Sequence, residues 1–220
     1  MLDIYYLKLS DYQTYPEDYF LPYVSKDTWQ AVQKYLNKKV RLTKLLGETL
    51  TRKLITKTWG LSSRDYQIEK GEHGKPLLNT QGISAHFNIS HSGDYIICAI
   101  SNQKVGIDIE QRREPRLNVA RRFFHPHEIA LLDKTTDKIL QQKLFYNYWS
   151  VKESYLKYTG SGLSSLLSSF EVCFSGNIII LKKGHSSLPV TVQECPIDSN
   201  YSSFVCCQSH DSFTINSFEL

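Results

Sequence analysis

Two acids stand two residues apart in Val105-Gly-Ile-Asp-Ile-Glu110. On an extended strand this spacing sends the carboxylates of Asp108 and Glu110 out of one face, within roughly 7 Å of each other, and leaves Ile107 and Ile109 on the other. Twin anions on an otherwise apolar strand repel unless a cation lies between them, and oxygen-only donors at that separation suit a hard ion such as Mg²⁺. The spacing alone also fits a half-exposed strand with two solvated acids. A third acid, Glu153, lies in Trp149-Ser-Val-Lys-Glu-Ser-Tyr-Leu-Lys157, where Trp149, Glu153 and Leu156 recur on one helical stripe. It reads either as a cleft-lining carboxylate or as the partner of Lys157 in a surface i,i+4 pair worth ~0.3 kcal/mol.

Ser90-His91-Ser92-Gly93 combines hydroxyls, an imidazole and free backbone N–H groups that can hold phosphate, or it is a plain turn. Gly74-Lys75-Pro76 sets one lysine on a stiff turn, where it either meets an anion or is simply solvated. Lys75 is followed by Pro and lacks the upstream glycine, so this is not a P-loop, and Gly160-Ser-Gly162 lacks the third glycine of a dinucleotide fingerprint. His125-Pro-His127-Glu128 does not complete H-E-x-x-H and has no cysteine pair nearby, which argues against zinc there. No G-x-S-x-G elbow points to a serine hydrolase.

These side chains need elements to hold them. Residues 3–9 alternate as a strand. From residue 27, with Asp27 as N-cap, to residue 58 apolar residues recur at helical spacing, giving two helices broken near residues 37–39. A turn is expected at residues 71–76 and a hairpin over 86–101, its two runs flanking Ser92-Gly93-Asp94. Residues 105–110 form a further strand, residues 119–132 and 138–158 read as helices, and the second ends at Gly160, a residue suited to a left-handed cap. Short β-rich runs follow from residue 169 to 220. The order predicts a mixed α/β fold in two halves, 1–104 and 105–220.

The 220 residues are 41% hydrophobic and 22% charged, an ordinary globular composition that excludes disordered, collagen-like and membrane-spanning classes. The longest apolar stretches, 95–100 and 178–181, fall far short of the ~18 residues a membrane helix needs. Asp3 and Lys8 interrupt any secretory signal, so a cytoplasmic protein is expected. The five cysteines are odd in number and lack C-x-x-C pairing, which predicts buried free thiols. The net charge of +4 is uneven: residues 26–57 hold nine basic residues against Asp27 and Glu48. A polyanion or a multiply phosphorylated small molecule is a fitting partner, and a solvated basic helix face is the plain alternative.

Taken together, Gly74-Lys-Pro76, His86-Phe-Asn-Ile-Ser-His-Ser-Gly93, Gly106-Ile-Asp-Ile-Glu110, Arg122-Phe-Phe124 and Trp149 to Lys157 resemble the 4'-phosphopantetheinyl transferases of the surfactin-synthetase-activating type. The resemblance implies two similar α/β halves in pseudo-twofold arrangement, with the cofactor between a coenzyme-A-binding half (1–104) and a metal-binding, carrier-docking half (105–220). It implies a monomeric holo-[acyl-carrier-protein] synthase that moves the phosphopantetheine arm of coenzyme A to a serine of an apo acyl or peptidyl carrier protein and releases adenosine 3',5'-bisphosphate. By motif position Asp108, Glu110 and Glu153 match metal-binding acids, Lys157 a lysine near the phosphates with a catalytic role beside Glu153, and Lys75, Ser90 and His91 coenzyme-A contacts. Thr43 stands where the family carries an arginine, four residues before Gly47. Lys34, Lys38, Arg41 or Lys44 must then hold the 3'-phosphate, and Lys44 is the first choice. Arg112, Arg113, Arg116, Arg121 and Arg122, with Leu117, Phe123 and Phe124, would make a rim for an acidic carrier; equally, the two phenylalanines suit the core. Two other functions remain open at this stage: a magnesium-dependent phosphohydrolase using the same acids, and a basic nucleic-acid-binding module using residues 26–57. The family reading expects neither nucleic acid nor membrane as a partner.

Overall fold

In a computed structural model, which describes residues 1–162, 167–209 and 212–220, the chain runs β1 (Leu2–Lys8), α1 (Lys26–Val32), α2 (Lys38–Trp59), β2 (Tyr66–Lys70), β3 (Pro76–Thr80), β4 (His86–Ser92), β5 (Tyr95–Ser101) and β6 (Val105–Gln111). It continues through α3 (Leu117–Phe123), α4 (Pro126–Lys134), α5 (Lys138–Thr159), β7 (Glu171–Ser175), β8 (Ile178–Lys183), β9 (Ser186–Ser187), β10 (Thr191–Glu194), β11 (Tyr201–Cys207) and β12 (Thr214–Ser217). One sheet has the order β12-β1-β5-β4, a second β6-β11-β10-β8-β7, and β2 and β3 form a separate ribbon. The mixed α/β class holds.

The period-2 alternation of the strands builds the layers. On β5, Ile96, Cys98 and Ile100 face α2, while Tyr95, Ile97 and Ala99 face the second sheet. On β11, Phe204 and Cys206 face the α5 side, while Tyr201, Val205 and Cys207 turn back to meet the first sheet. Being covered on both faces, β5 and β11 are buried along their whole lengths, which is why Tyr-Ile-Ile-Cys-Ala-Ile-Ser lacks polar alternation. The two sheets thus share an inner core, and each carries a 22-residue helix outside it.

Those two helices are bounded alike. Asn37 accepts from Lys39 and Val40 N–H to start α2, and Asp137 accepts from Ile139 and Leu140 N–H to start α5. Gly60 ends α2 and Gly160 ends α5 at φ 80°, a left-handed conformation that a Cβ would disfavour. Two boundaries differ from the sequence expectation. Ser25, not Asp27, caps α1, its hydroxyl accepting from Thr28 N–H, while Asp27 sits in the first turn where its charge suits the helix N-terminus. Residues 119–132 form two helices, because Pro126 drives His125 to an extended backbone (φ −67°, ψ 146°) and a new helix starts behind it.

All five cysteines are free, four of them buried. Among the described residues no helix is long and apolar enough to cross a membrane. The basic run largely covers aromatic rings or pairs with acids: Lys53 lies over Tyr23, Lys57 over Tyr5 and Phe218, Arg52 pairs with Glu48, and Arg41 with Glu17.

Candidate active site

Strands β4 and β6 are edges of different sheets, yet they are fastened by a row of side chains. Asn88 Oδ1 accepts from Ile107 N–H at 2.8 Å, Ser90 Oγ from Ile109 N–H at 3.4 Å and Ser92 Oγ from Gln111 N–H at 3.1 Å. The same serine hydroxyls donate to the acids between those amides: Ser90 to Asp108 (2.9 Å) and Ser92 to Glu110 (2.9 Å). Alternation on both strands makes this possible, since every second residue of β4 faces every second residue of β6. From the helix side, Ser150 donates to Asp108 Oδ2 at 2.6 Å. Lys157 donates to Asp108 Oδ1 at 2.7 Å and to Ser90 Oγ at 2.8 Å. Lys157 is therefore drawn into the cleft toward Asp108 and is not held in the surface pair with Glu153.

The helix α5 brings Glu153 to the two strand acids, and each acid feels the others. Burial, then the charge of Asp108, pushes the Glu110 carboxyl up to about 7; Ser92, Lys157 and Trp149 pull it the other way. Burial, then Asp108, likewise raises Glu153 to about 7, with Lys157 opposing and Glu110 adding. Glu153 Oε1 is buried and makes no hydrogen bond among the described residues. An orphaned carboxylate oxygen beside two further acids in an oxygen-rich donor set is what a hard divalent cation would satisfy, and the residues fit Mg²⁺.

A cleft of about 260 Å³ opens beside them, lined among others by Gly74, Lys75, Asn88, Glu153 and Lys157. Lys75 reaches across it and donates to the carbonyls of Val105 and Lys157; burial, reinforced by Lys104, brings its ammonium down to about 8. His91 is not among the residues that line this cleft; burial, then Lys157 and Lys44, lowers its pKa. Lys44 is therefore within electrostatic reach of His91, with its ammonium 5.4 Å from the Tyr35 ring centre. Arg41 is committed elsewhere: it binds Glu17 at 2.7 Å and the carbonyls of Tyr35 and Leu36. A larger depression of about 590 Å³, between residues 61–67 and 79–81, shares no residue with this cleft.

The sequence reading missed Asn88 and Ser150 as site residues and gave Ser92 a phosphate-holding role instead of its bond to Glu110. Their signal was the polar alternation of β4 and a serine one turn before Ser154 on α5, and neither names its partner. Of the arginine rim, Phe124 is 2% exposed and belongs to the core with Phe145, and Phe123 packs against the same cluster. Arg112 donates to Ser202 Oγ and the Ser199 carbonyl, Arg113 to Gln111, and Arg121 pairs with Asp133.

Asp108, Glu110 and Glu153, all from residues 105–220, stand beside a cleft lined by Lys75 and Lys157, an arrangement suited to a phosphorylated ligand. Residues 104–206 match the model of the 4'-phosphopantetheinyl transferase superfamily, and residues 17–103 match that of the 4'-phosphopantetheinyl transferase N-terminal region. The 4'-phosphopantetheinyl transferase gsp of Aneurinibacillus migulanus is 35% identical over 87% of this chain and 78% of its own. The 4'-phosphopantetheinyl transferase Sfp of Bacillus subtilis is 36% identical over 87% of this chain and 85% of its own. A solved holo-(acyl-carrier-protein) synthase from Bacillus anthracis, in complex with CoA (3',5'-ADP), overlaps 45% of this chain and 91% of its own at 15% identity and a TM-score of 0.37. The chain belongs to the 4'-phosphopantetheinyl transferase family and is an enzyme of that class. The phosphohydrolase and nucleic-acid readings find no support in these relatives.

Proposed function

We propose that this chain moves the 4'-phosphopantetheine arm of coenzyme A to the serine hydroxyl of an apo acyl or peptidyl carrier protein, releasing adenosine 3',5'-bisphosphate, with Asp108, Glu110 and Glu153 holding Mg²⁺. The observation that carries the reading is the buried, partnerless Glu153 Oε1 facing two acids on β6. A bound Mg²⁺ would neutralise the diphosphate oxygens and stabilise the departing phosphate.

The chain's own groups do the rest. Ser90, Ser150 and Lys157 fix the Asp108 carboxylate on three sides. Lys157 and Lys75 set two cations along the wall where a diphosphate would lie. Glu153, besides holding the metal, would take the serine proton directly or through a water. Lys44 and His91, within electrostatic reach of each other and of Lys157, would take the 3'-phosphate, and Arg41 supports them by tying down the Tyr35 and Leu36 carbonyls. In this reading residues 1–104 and 105–220 supply opposite walls of the cleft, so a monomer suffices. Five free cysteines suit a cytoplasmic setting.

The test is incubation with coenzyme A, Mg²⁺ and an apo carrier protein. The carrier should gain the mass of one phosphopantetheine arm on its serine, and only with Mg²⁺ present. Release of phosphate without carrier labelling would overturn the assignment.

A further inference from the structure

Away from the cleft, His125, His127 and Glu171 gather their side-chain donors so that all three lie within 4.8 Å of one another. The sequence hides this, because Glu171 is supplied by β7, far along the chain from the His-Pro-His stretch. The geometry points to a second metal site, built for a borderline transition ion of the zinc class and separate from the acid cluster.

The donor chemistry makes the distinction. Two imidazole nitrogens and one carboxylate suit zinc, whereas magnesium takes oxygen donors and retains water. Tetrahedral coordination with bonds of about 2.0–2.1 Å sets donors about 3.3 Å apart, so the cluster needs a modest closure. His127 can supply it: its side chain is 75% exposed and already places Nδ1 3.1 Å from Glu171 Oε1. The His125 ring stands at 80° to the His127 ring with centres 5.1 Å apart. His125 Nδ1 accepts from His127 N–H at 3.4 Å, a long bond that must open so that Nδ1 carries the proton and Nε2 becomes the ligating nitrogen. Three protein donors leave a fourth position for water.

What separates this cluster from a chance surface grouping is its support. The buried Glu128 accepts from His125 N–H at 2.9 Å with one oxygen and from Val172 N–H at 2.7 Å with the other. One carboxylate thereby fixes the backbone on both sides of the site, at the start of α4 and next to Glu171 on β7. Glu128 is itself held by Lys152 at 3.0 Å. Ligands anchored by hydrogen-bonded backbone lose little freedom when a metal arrives. A bound ion would staple α4 to β7 and stabilise the chain without entering the transfer chemistry.

Zinc titration of the chelator-stripped chain in the presence of excess Mg²⁺, read by competition with a chromogenic chelator, tests this. One Zn²⁺ per chain should bind. His127→Ala and Glu171→Gln should each weaken binding by about tenfold or more, while Asp108→Asn leaves it within about twofold of native. Co²⁺ should give visible absorption bands that His127→Ala abolishes, and zinc should raise the melting temperature of the native chain but not of that variant. Because His127 is exposed, its variant should melt like the native chain without zinc. Equal zinc affinity in native and His127→Ala protein, loss of the ion in Asp108→Asn, or no zinc bound beside Mg²⁺ would each overturn the proposal.

Discussion

Glu110 and Glu153 hold their protons more tightly in the folded chain than in the unfolded one, since burial and Asp108 raise both to about 7 from the ordinary 4.5. The sign follows from proton linkage: the folded state binds more protons between those values, so each acid's contribution is intact below pH 4.5 and is lost as pH rises toward 7. For one such group the loss amounts to roughly 3 kcal/mol. His86, His91 and His125, lowered chiefly by burial, work in the opposite direction. The clean readout is therefore a difference. Without Mg²⁺, Glu153→Gln should be more stable than the native chain at pH 8 by up to about 3 kcal/mol, and the gap should close toward pH 5; denaturant titrations at several pH values measure it. Excess Mg²⁺ should narrow the gap at pH 8 by stabilising only the native chain, and a gap independent of pH would contradict the account. The same variant, and Asp108→Asn, should reduce carrier labelling by at least about a hundredfold with the fold retained by circular dichroism. Lys44 predicts a different pattern: a charge-assisted contact to phosphate is worth roughly 1.5–3 kcal/mol. Lys44→Ala should therefore raise KM for coenzyme A about tenfold or more and leave kcat unchanged, and an unchanged KM would remove Lys44 from the site.

At the scale of elements, the acids depend on how closely β6 lies against α5. Gly106 makes that approach possible: a Cβ there would collide with the Ser154 carbonyl oxygen and the Tyr158 backbone nitrogen. No side-chain rotation relieves a clash with helix backbone, so Gly106→Ala should cost roughly 2–4 kcal/mol and lower the denaturation midpoint, with labelling lost as α5 shifts. The opposite wall depends on Asn88, whose amide is 3% exposed. Asn88→Ala leaves the Ile107 N–H buried without a partner, at a cost of about 1–3 kcal/mol in the same measurement. Much of this framework was legible in the sequence. The long helices announce themselves through apolar spacing and, for α5, the glycine at its end, and the hairpin through Ser92-Gly93-Asp94, whereas the caps Asn37 and Asp137 emerge only in the structure. The acids on β6 could be assigned to one face because a strand's side chains alternate. What alternation cannot reveal is which edge meets which: Ser90 and Ser92 looked like phosphate-binding turn residues, whereas their hydroxyls serve the β6 acids and amides. Lys157 could be placed on its helix but not directed to Asp108 over Glu153, since that choice is made by a strand from another part of the chain.

Across the whole molecule, the two sequence halves are less separable than their order suggests. The inner core draws Leu2, Ile4, Tyr95, Ile97 and Ala99 from one sheet and Val105, Ile107, Ile109, Val205 and Cys207 from the other. The last strand, β12, returns to pair in parallel with β1, where Phe218 N–H donates to the Tyr6 carbonyl and Leu220 N–H to the Tyr12 hydroxyl. Nothing in Thr-Ile-Asn-Ser signals this from sequence, because the strand is short and mostly polar and its partner lies at the other end of the chain. Cutting near residue 104 would therefore strip each half of one face of its core, and the first half would also lose the strand that covers the β1 edge. At about 1.5–3 kcal/mol for each large side chain re-exposed, the half-dozen core residues that each half would uncover rival the 5–15 kcal/mol by which a domain is ordinarily stable. Fragments 1–104 and 105–220, expressed separately, should each give collapsed, poorly dispersed amide spectra and no coenzyme A binding. The intact chain should unfold in one step, with the tryptophan fluorescence midpoint of Trp29 and Trp59 in one half and Trp149 in the other coinciding with the loss of helix. Two resolved transitions, or a fragment that folds and melts cooperatively by itself, would show that the shared core does not couple the halves.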